Sequence, residues 1–212
     1  MSAAVQPHTV DQTDVSHIVR ASLGLGVLES VAVIVIGLIS KYLDGIVEQA
    51  LLLVLVSGAV LAVTFLPGLW TRARSIEGIA GAAGIGLAAA WVFLVVDVLF
   101  LQGAWLPFSL YTHRWRDIGG GSNWWYHPIW WMVGTYLPWL GAWILANQAS
   151  RRAEPGISSA AALVLGGTVL STVVANLLHV PGAGWNAGTF GVAFLPGLAL
   201  ATIVSVLGAR RK

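Results

Sequence analysis

Cysteine is absent from this 212-residue chain. Without it there are no disulfides, thiolate nucleophiles, thiolate metal sites or c-type haem attachments. Charged residues are also scarce, at 9% of the chain, whereas soluble domains carry about a quarter. The sequence has no Walker loop, GxSxG elbow, HExxH motif or dinucleotide fingerprint. ATP hydrolysis, serine acyl transfer, zinc-dependent proteolysis and nicotinamide chemistry therefore lack their usual parts.

Hydrophobic residues make up 57% of the chain, and the mean hydropathy is +0.81. Such a composition is typical of a membrane protein, and the apolar residues gather in six runs long enough to cross a bilayer. The runs are Ser22–Ser40, Ile46–Trp70, Ile76–Leu101, Trp124–Gln148, Ile157–His179 and Gly188–Leu207. The sequence therefore predicts an all-α fold, a polytopic integral membrane bundle of six transmembrane helices.

The predicted organisation is a polar tail, residues 1–21, followed by a single membrane domain, residues 22–212. The tail has no basic start followed by an apolar core, so a cleaved signal peptide is not expected. A loop at 103–123 separates three runs from three more, and the stretch Trp105–Trp143 holds eight of the eleven tryptophans. Because tryptophan and tyrosine prefer the boundary between lipid and water, this stretch is predicted to mark one face of the membrane.

Eight of the eleven basic residues fall on the side of the predicted bundle that carries both termini. Because basic residues concentrate on the cytoplasmic side of membrane proteins, both termini are predicted to be cytoplasmic and the tryptophan-rich loop extracytoplasmic. We expect the protein in the cytoplasmic (inner) membrane of a bacterium. The basic residues lie in twos and threes at the ends of apolar runs, which indicates topology rather than nucleic-acid binding.

A cluster of ionisable and polar residues is predicted at the outer ends of the spans, beneath the tryptophan-rich loop. An ionisable group inside a span is costly, so it marks a site by default. The candidates for this outer pocket are Asp97, His113, Arg114, Arg116, His127, Asn176 and His179. A structural alternative is that Asp97 pairs with Arg114, Arg116 or a histidine and fastens the loop to the bundle.

Three kinds of ligand fit the residue types of this outer pocket. Asp97, His127 and His179 could bind a Zn or Cu ion, since imidazole and carboxylate are suitable ligands. His127 and His179 could instead hold a b-type haem, with the loop arginines near its propionates. The aromatic walls could also hold a quinone, a carotenoid or a lipid headgroup. The residues come from different spans and show no HxxxH or ExxH spacing, so these alternatives stay open.

Small residues and one acid mark the faces that are predicted to pack against other helices. Gly86 belongs to a ladder of small residues at four-residue spacing in the third run, and Gly86→Leu is expected to destabilise the bundle more than Val92→Leu. Glu29, the single charge of the first run, shares a face with small and polar residues. It is a candidate for a station on a proton or ion path, or for a protonated structural carboxyl.

The lack of a catalytic motif and the small-residue faces favour a role in association, although an enzymatic role stays open. The leading hypothesis is a small multi-pass subunit or accessory protein of an energy-transducing or transport complex. It would contact membrane lipids and a membrane protein partner or further copies of itself. The alternatives are a self-contained metal- or haem-dependent redox enzyme in the membrane, and a small transporter or channel that uses Asp97 and Glu29.

Overall fold

The computed structural model describes residues 14–102, 126–150 and 156–208, with side chains from residue 129 onward in the second range. These residues form α-helices and contain no strand. The helices are α1 (Val15–Tyr42), α2 (Gly45–Trp70), α3 (Ile76–Val96), α4 (Tyr126–Ala149), α5 (Ile157–Leu177) and α6 (Ala187–Leu207). A π-helical turn, Asp97–Leu101, extends α3. The all-α prediction is confirmed, with six helices long and apolar enough to span a membrane.

The first helix is longer than the apolar run Ser22–Ser40 predicts, because polar residues extend it at its start. Asp14 caps the helix by accepting a hydrogen bond from the Ser16 N–H at 2.9 Å. One turn on, the Arg20 guanidinium donates to the Ser16 hydroxyl at 2.5 Å and to the Ser16 carbonyl at 3.2 Å. Such a cap and such a side-chain pair stabilise a first turn that has little apolar surface. The helix thus reaches into the segment 1–21 that the sequence assigned to a polar tail.

Neighbouring helices in the sequence run in opposite directions, so α2, α4 and α6 are parallel, and hydrogen bonds join the ends of α6 to the other two. Gln49, near the start of α2, accepts from the Ala187 N–H at the start of α6 at 3.0 Å. Asn147, near the end of α4, donates to Ser205, near the end of α6, at 3.1 Å. We call the first end of the bundle, where α2, α4 and α6 begin, the loop end. The opposite end, where α1, α3 and α5 begin, is the terminal end.

The second helix contacts four others, α1, α3, α4 and α6. The most extensive contacts are α1 with α3, α3 with α4, and α5 with α6, and α5 packs almost entirely against α6. The largest apolar cluster joins α2, α4, α5 and α6 and includes Phe65, Ile144, Val164 and Phe194. The fold is therefore a group of four helices, α1 to α4. The sixth helix packs on this group, and α5 packs on α6.

Glycines lie where the helices approach most closely. At each such glycine a Cβ atom would collide with the neighbouring helix. These glycines are Gly26 of α1 towards α3, Gly86 of α3 and Gly134 of α4 towards each other, Gly141 of α4 towards α2, and Gly167 of α5 and Gly197 of α6 towards each other. The ladder predicted on α3, Gly78, Ala82, Gly86 and Ala90, is buried along its whole length. The small side chains let the backbones touch, which supplies close van der Waals contact between helices.

The contact between α3 and α4 is built on a carbonyl that lacks its usual donor within α4. Pro138 lies inside α4 and has no amide hydrogen, so the carbonyl of Gly134, four residues earlier, loses its usual helical donor. Gly86 of α3 lies directly against this carbonyl, so that a Cβ on Gly86 would collide with its oxygen and with the Pro138 ring. Close Cα–H to carbonyl contacts of this kind recur between tightly packed helices.

Large apolar side chains cover the outside of the helices. Val54 of α2, Leu170 of α5 and Val192 of α6 are 72%, 55% and 71% exposed. Such an exterior would be unfavourable in water, because exposing contiguous apolar surface costs about 25 cal/mol per Å². It fits a multi-pass membrane protein, in which lipid covers these side chains.

Two helices end in a left-handed residue that is not glycine. Arg72 after α2 has φ 47° and His179 after α5 has φ 52°. In each motif the N–H of the following residue donates to the carbonyl five positions back, at 2.8 Å after α2 and at 3.0 Å after α5. This is the Schellman arrangement, in which glycine is the usual residue. A side chain at this position costs about 1 kcal/mol or more.

Candidate functional site

Asp97 is fully buried where α3 passes into the π-helical turn. The Gln102 N–H donates to the Asp97 carbonyl at 2.9 Å and closes the turn, while the Gln102 amide donates to the Asp97 carboxylate at 2.5 Å. Asp97 takes part in at least one further interaction. Single π-turns inside α-helices occur frequently at functional sites. Asp97 thus lies inside the bundle, in a locally irregular backbone, at the loop end.

A second acid, Glu48, is buried at the same end and was not among the residues predicted from the sequence. It lies in the first turn of α2, is 3% exposed, and takes part in at least one interaction with another group. An ionisable residue inside an apolar run was the criterion that selected Glu29, and the same criterion selects Glu48 in Ile46–Trp70. Glu48 and Asp97 therefore place two buried carboxylates at the loop end, on α2 and on α3.

Asn176 and His179 lie at the loop end but on a different side of the bundle. The Asn176 amide donates to the Thr172 carbonyl at 2.9 Å and to the Gly184 carbonyl, in the turn towards α6, at 3.4 Å. His179 is exposed and forms the left-handed cap of α5. Since α5 shares no substantial contact with α3, the described structure does not bring these two residues together with Asp97.

The proposed metal and haem ligands are described only in part. Among the described residues, no three His, Asp or Glu side chains are grouped to hold a metal ion. The predicted ligand set combines Asp97 and His179 with His127, whose side chain lies outside the described residues, as do His113, Arg114 and Arg116. The metal site and the b-type haem site therefore stay predictions.

Aromatic side chains join the end of α3 to the start of α4. Trp91 stacks on Trp131, with ring centroids 5.1 Å apart and an angle of 19° between the planes. Phe93 packs against Trp130 at 4.5 Å and a tilt of 50°. The Nε1 of Trp131 is buried and has no hydrogen-bond partner among the described residues. The paired tryptophans of α4 thus contact α3 as well as marking the loop end.

An aromatic groove of about 540 Å³ opens beside this stack on the outside of α3, α4 and α6. Its lining residues are Leu87, Trp131, Met132, Val133, Thr135, Tyr136, Trp139 and Leu195. The Thr135 hydroxyl donates to the Trp131 carbonyl at 2.9 Å, and the Tyr136 hydroxyl donates to the Leu195 carbonyl at 3.2 Å. Since both hydroxyls are used within the chain, the groove offers an apolar and aromatic surface.

Glu29 lies in the middle of α1, facing α3, and is 8% exposed. Leu25 and Val33, one turn before and after it on the same face, belong to two apolar clusters between α1 and α3. Within the described part of the chain, one carboxyl oxygen of Glu29 has no hydrogen-bond partner. Ser30, beside it, donates its hydroxyl to the Gly26 carbonyl at 2.8 Å instead. A role of Glu29 in a proton or ion path stays a prediction.

The described residues offer two buried carboxylates, an apolar aromatic groove and a set of indole rings. Buried carboxylates bind cationic groups well, and aromatic grooves bind apolar or planar groups. Neither feature defines a reaction by itself, because the fold does not determine the function. No protein-family model, curated protein or solved structure matches the chain.

Proposed function

We propose that this chain is a small multi-pass subunit or accessory protein of a larger membrane complex of the energy-transducing or transport kind. The observation that carries the proposal is the aromatic groove, in particular its position along the helices. Trp139 is 45% exposed and lies in the groove. It is thirteen residues from the start of α4, which corresponds to about 20 Å along the axis and places it near the middle of the span.

Tryptophans that serve only as membrane anchors lie at the two lipid–water boundaries, because the indole N–H needs a polar partner. An exposed indole near the middle of a span has no such partner in lipid. Tryptophan, tyrosine and methionine are enriched where proteins contact each other, and methionine adapts to irregular surfaces. The groove combines all three residue types, which supports a helix of another protein as its occupant.

Photocrosslinking tests this proposal through two positions of nearly equal exposure. Met132 lies in the groove and is 69% exposed, while Val54 on α2 is outside the groove and 72% exposed. With p-benzoylphenylalanine at position 132, we expect a discrete adduct with one membrane protein, which is absent with the same residue at position 54. The same products at both positions, or lipid adducts alone at position 132, would contradict the proposal. A quinone or carotenoid adduct at position 132 would show that the groove binds a lipophilic cofactor rather than a partner protein.

We propose further that both termini are cytoplasmic, in the inner membrane of a bacterium. The excess of basic residues at the terminal end supports this orientation, and Arg20, Arg72 and Arg74 are described there. Reporter fusions after Arg74, Arg152 and Lys212 should report the cytoplasm, and fusions near Gly120 and Ala183 the outside. Disagreement at two of the five positions would overturn the orientation.

A further inference from the structure

A hollow of about 410 Å³ lies at the terminal end, between the end of α2, the start of α3 and the end of α4. Its lining residues are Gly68, Leu69, Arg72, Ala73, Arg74, Ser75, Leu145 and Ala149. The inner part is formed by small and apolar side chains, because Gly68 has no side chain and packs on α4. The rim carries two guanidinium groups, on residues that are separated by one position in the sequence. We call this feature the arginine hollow.

The turn that carries the two arginines is held by several bonds. Ala73 is 4% exposed, and its N–H donates to the Gly68 carbonyl at 2.8 Å. Thr71 is 1% exposed, and its hydroxyl lies 2.8 Å from the Gly78 carbonyl, which connects the end of α2 to the first turn of α3. The backbone that presents Arg72 and Arg74 is thus fixed before any ligand arrives, so binding would order few backbone groups.

Arg72 occupies the left-handed position of the turn, where glycine would be less strained. Strained backbone positions are kept where the side chain has a use, so the outlier points to a function for this guanidinium. Neither the Arg72 nor the Arg74 guanidinium makes a hydrogen bond or an ion pair with the described residues; the Arg72 N–H donates to the Leu69 carbonyl at 3.2 Å. Arg20, at the same end of the bundle, differs in this respect, because its guanidinium is bound to Ser16.

No acidic residue is among the described residues that line the hollow. The acid nearest in the sequence, Glu77, is exposed on the first turn of α3. Among the described residues, the two guanidinium groups therefore have no partner, and they stand above an apolar base that leaves them able to bind an anion. Guanidinium groups bind phosphate oxygens through two parallel hydrogen bonds, and basic hollows between membrane helices bind the headgroups of anionic lipids.

We propose that the arginine hollow binds the phosphate group of an anionic phospholipid, with the glycerol and the first acyl carbons against Leu69, Leu145 and Ala149. The position of the hollow supports a lipid as the source of the phosphate. It lies at the ends of helices whose sides are covered by apolar residues, where lipid headgroups meet a membrane protein. The proposal is independent of the aromatic groove, which lies on the outside of α3, α4 and α6.

Retention of defined lipids by the purified protein tests this site. The protein is equilibrated in mixed micelles with equal amounts of dioleoylphosphatidylglycerol and dioleoylphosphatidylcholine, and bound lipid is counted by native mass spectrometry. We expect the wild-type chain to prefer phosphatidylglycerol. The double variant Arg72→Gln with Arg74→Gln should bind it about 30-fold more weakly, since each charge near a membrane surface contributes about fivefold. The matched control Arg20→Gln removes a charge at the same end and should leave the preference unchanged.

Arg72→Gly separates lipid binding from a structural role. It should raise the melting temperature, because glycine suits the left-handed position, while it weakens binding of phosphatidylglycerol about fivefold. Unchanged binding in the double variant, or an equal loss in Arg20→Gln, would overturn the site. Displacement of the lipid by millimolar glycerol phosphate would assign the hollow to soluble phosphate esters and overturn the lipid assignment.

Discussion

Replacing Gly86 with leucine should destabilise the bundle by about 3 kcal/mol or more, the upper end of the usual cost of overpacking. The new Cβ would collide with the Gly134 carbonyl oxygen and with the Pro138 ring. Neither neighbour can give way easily, because one is backbone and the other is a ring fixed to the backbone. The whole contact between α3 and α4 would therefore have to open, and thermal unfolding in mild detergent measures the loss.

The matched control is Gly84→Leu, two residues earlier on the same helix. Nothing lies within 4 Å of a Cβ at this position, and the residue is exposed. Leucine there should be neutral or raise stability by up to about 1 kcal/mol, because glycine is a poor helix former. The sequence suggested Val92→Leu as the control, but Val92 packs tightly against α1. A Cβ atom built on Gly26 would lie 2.6 Å from the Val92 Cβ, so a larger side chain at position 92 is also expected to disturb the packing. Similar melting temperatures for the two glycine variants would mean that α3 and α4 do not meet at Gly86.

Replacing Asp97 with alanine should cost about 3 kcal/mol, the upper end of the cost of leaving a buried hydrogen-bond donor without its acceptor. Asp97 is fully buried, with 0% of its surface accessible to solvent. Its carboxylate accepts a hydrogen bond from the Gln102 amide at 2.5 Å. Its removal leaves that amide without its acceptor in a low-dielectric environment. Glu77→Ala, an exposed acid on the same helix, should change the melting temperature little.

Two further variants separate a structural clasp from a ligand site at the loop end. If Asp97 fastens the tryptophan-rich loop through Arg114, Arg114→Ala should share its defect, and the double variant should be no worse than the single ones. His179→Ala should then change stability little, since the exposed imidazole has no part in the clasp. Loss of bound metal or haem in a folded His179→Ala protein would favour the ligand site. A defect in Asp97→Ala no larger than in Glu77→Ala would contradict both readings.

The helices and their buried faces could be predicted from the sequence, because a membrane span needs a continuous apolar run. The ladder containing Gly86 was predicted from spacing alone, since residues four apart share a helix face. The start of α1 was missed because hydrogen bonds, rather than apolar residues, form its first turns. Glu48 was missed as a buried acid because it is the third residue of its apolar run, and a charge so close to the start of a run is expected to be solvated.

The grouping of the outer residues was harder to predict than their depth. Asp97, Asn176 and His179 all lie at the loop end, as the directions of the spans require. The depth of a residue along its helix does not determine which helices are neighbours, however. A short connection requires only that two helices consecutive in the sequence lie close together. The close approach of Gly167 and Gly197 places α5 against α6, on the side of the bundle away from α3. No pattern within α5 alone gives this information.

The dependence of α5 on a single neighbour has a consequence for how the protein is made. Helices leave the ribosome and enter the membrane in order, and α1 to α4 can complete their mutual contacts as soon as α4 has been inserted. The fifth helix then enters with almost no finished surface on which to dock, because its partner has not yet been translated. In a chain that is inserted in this order, we therefore expect α5 to dock only together with α6, so that the last two helices join the bundle as a hairpin.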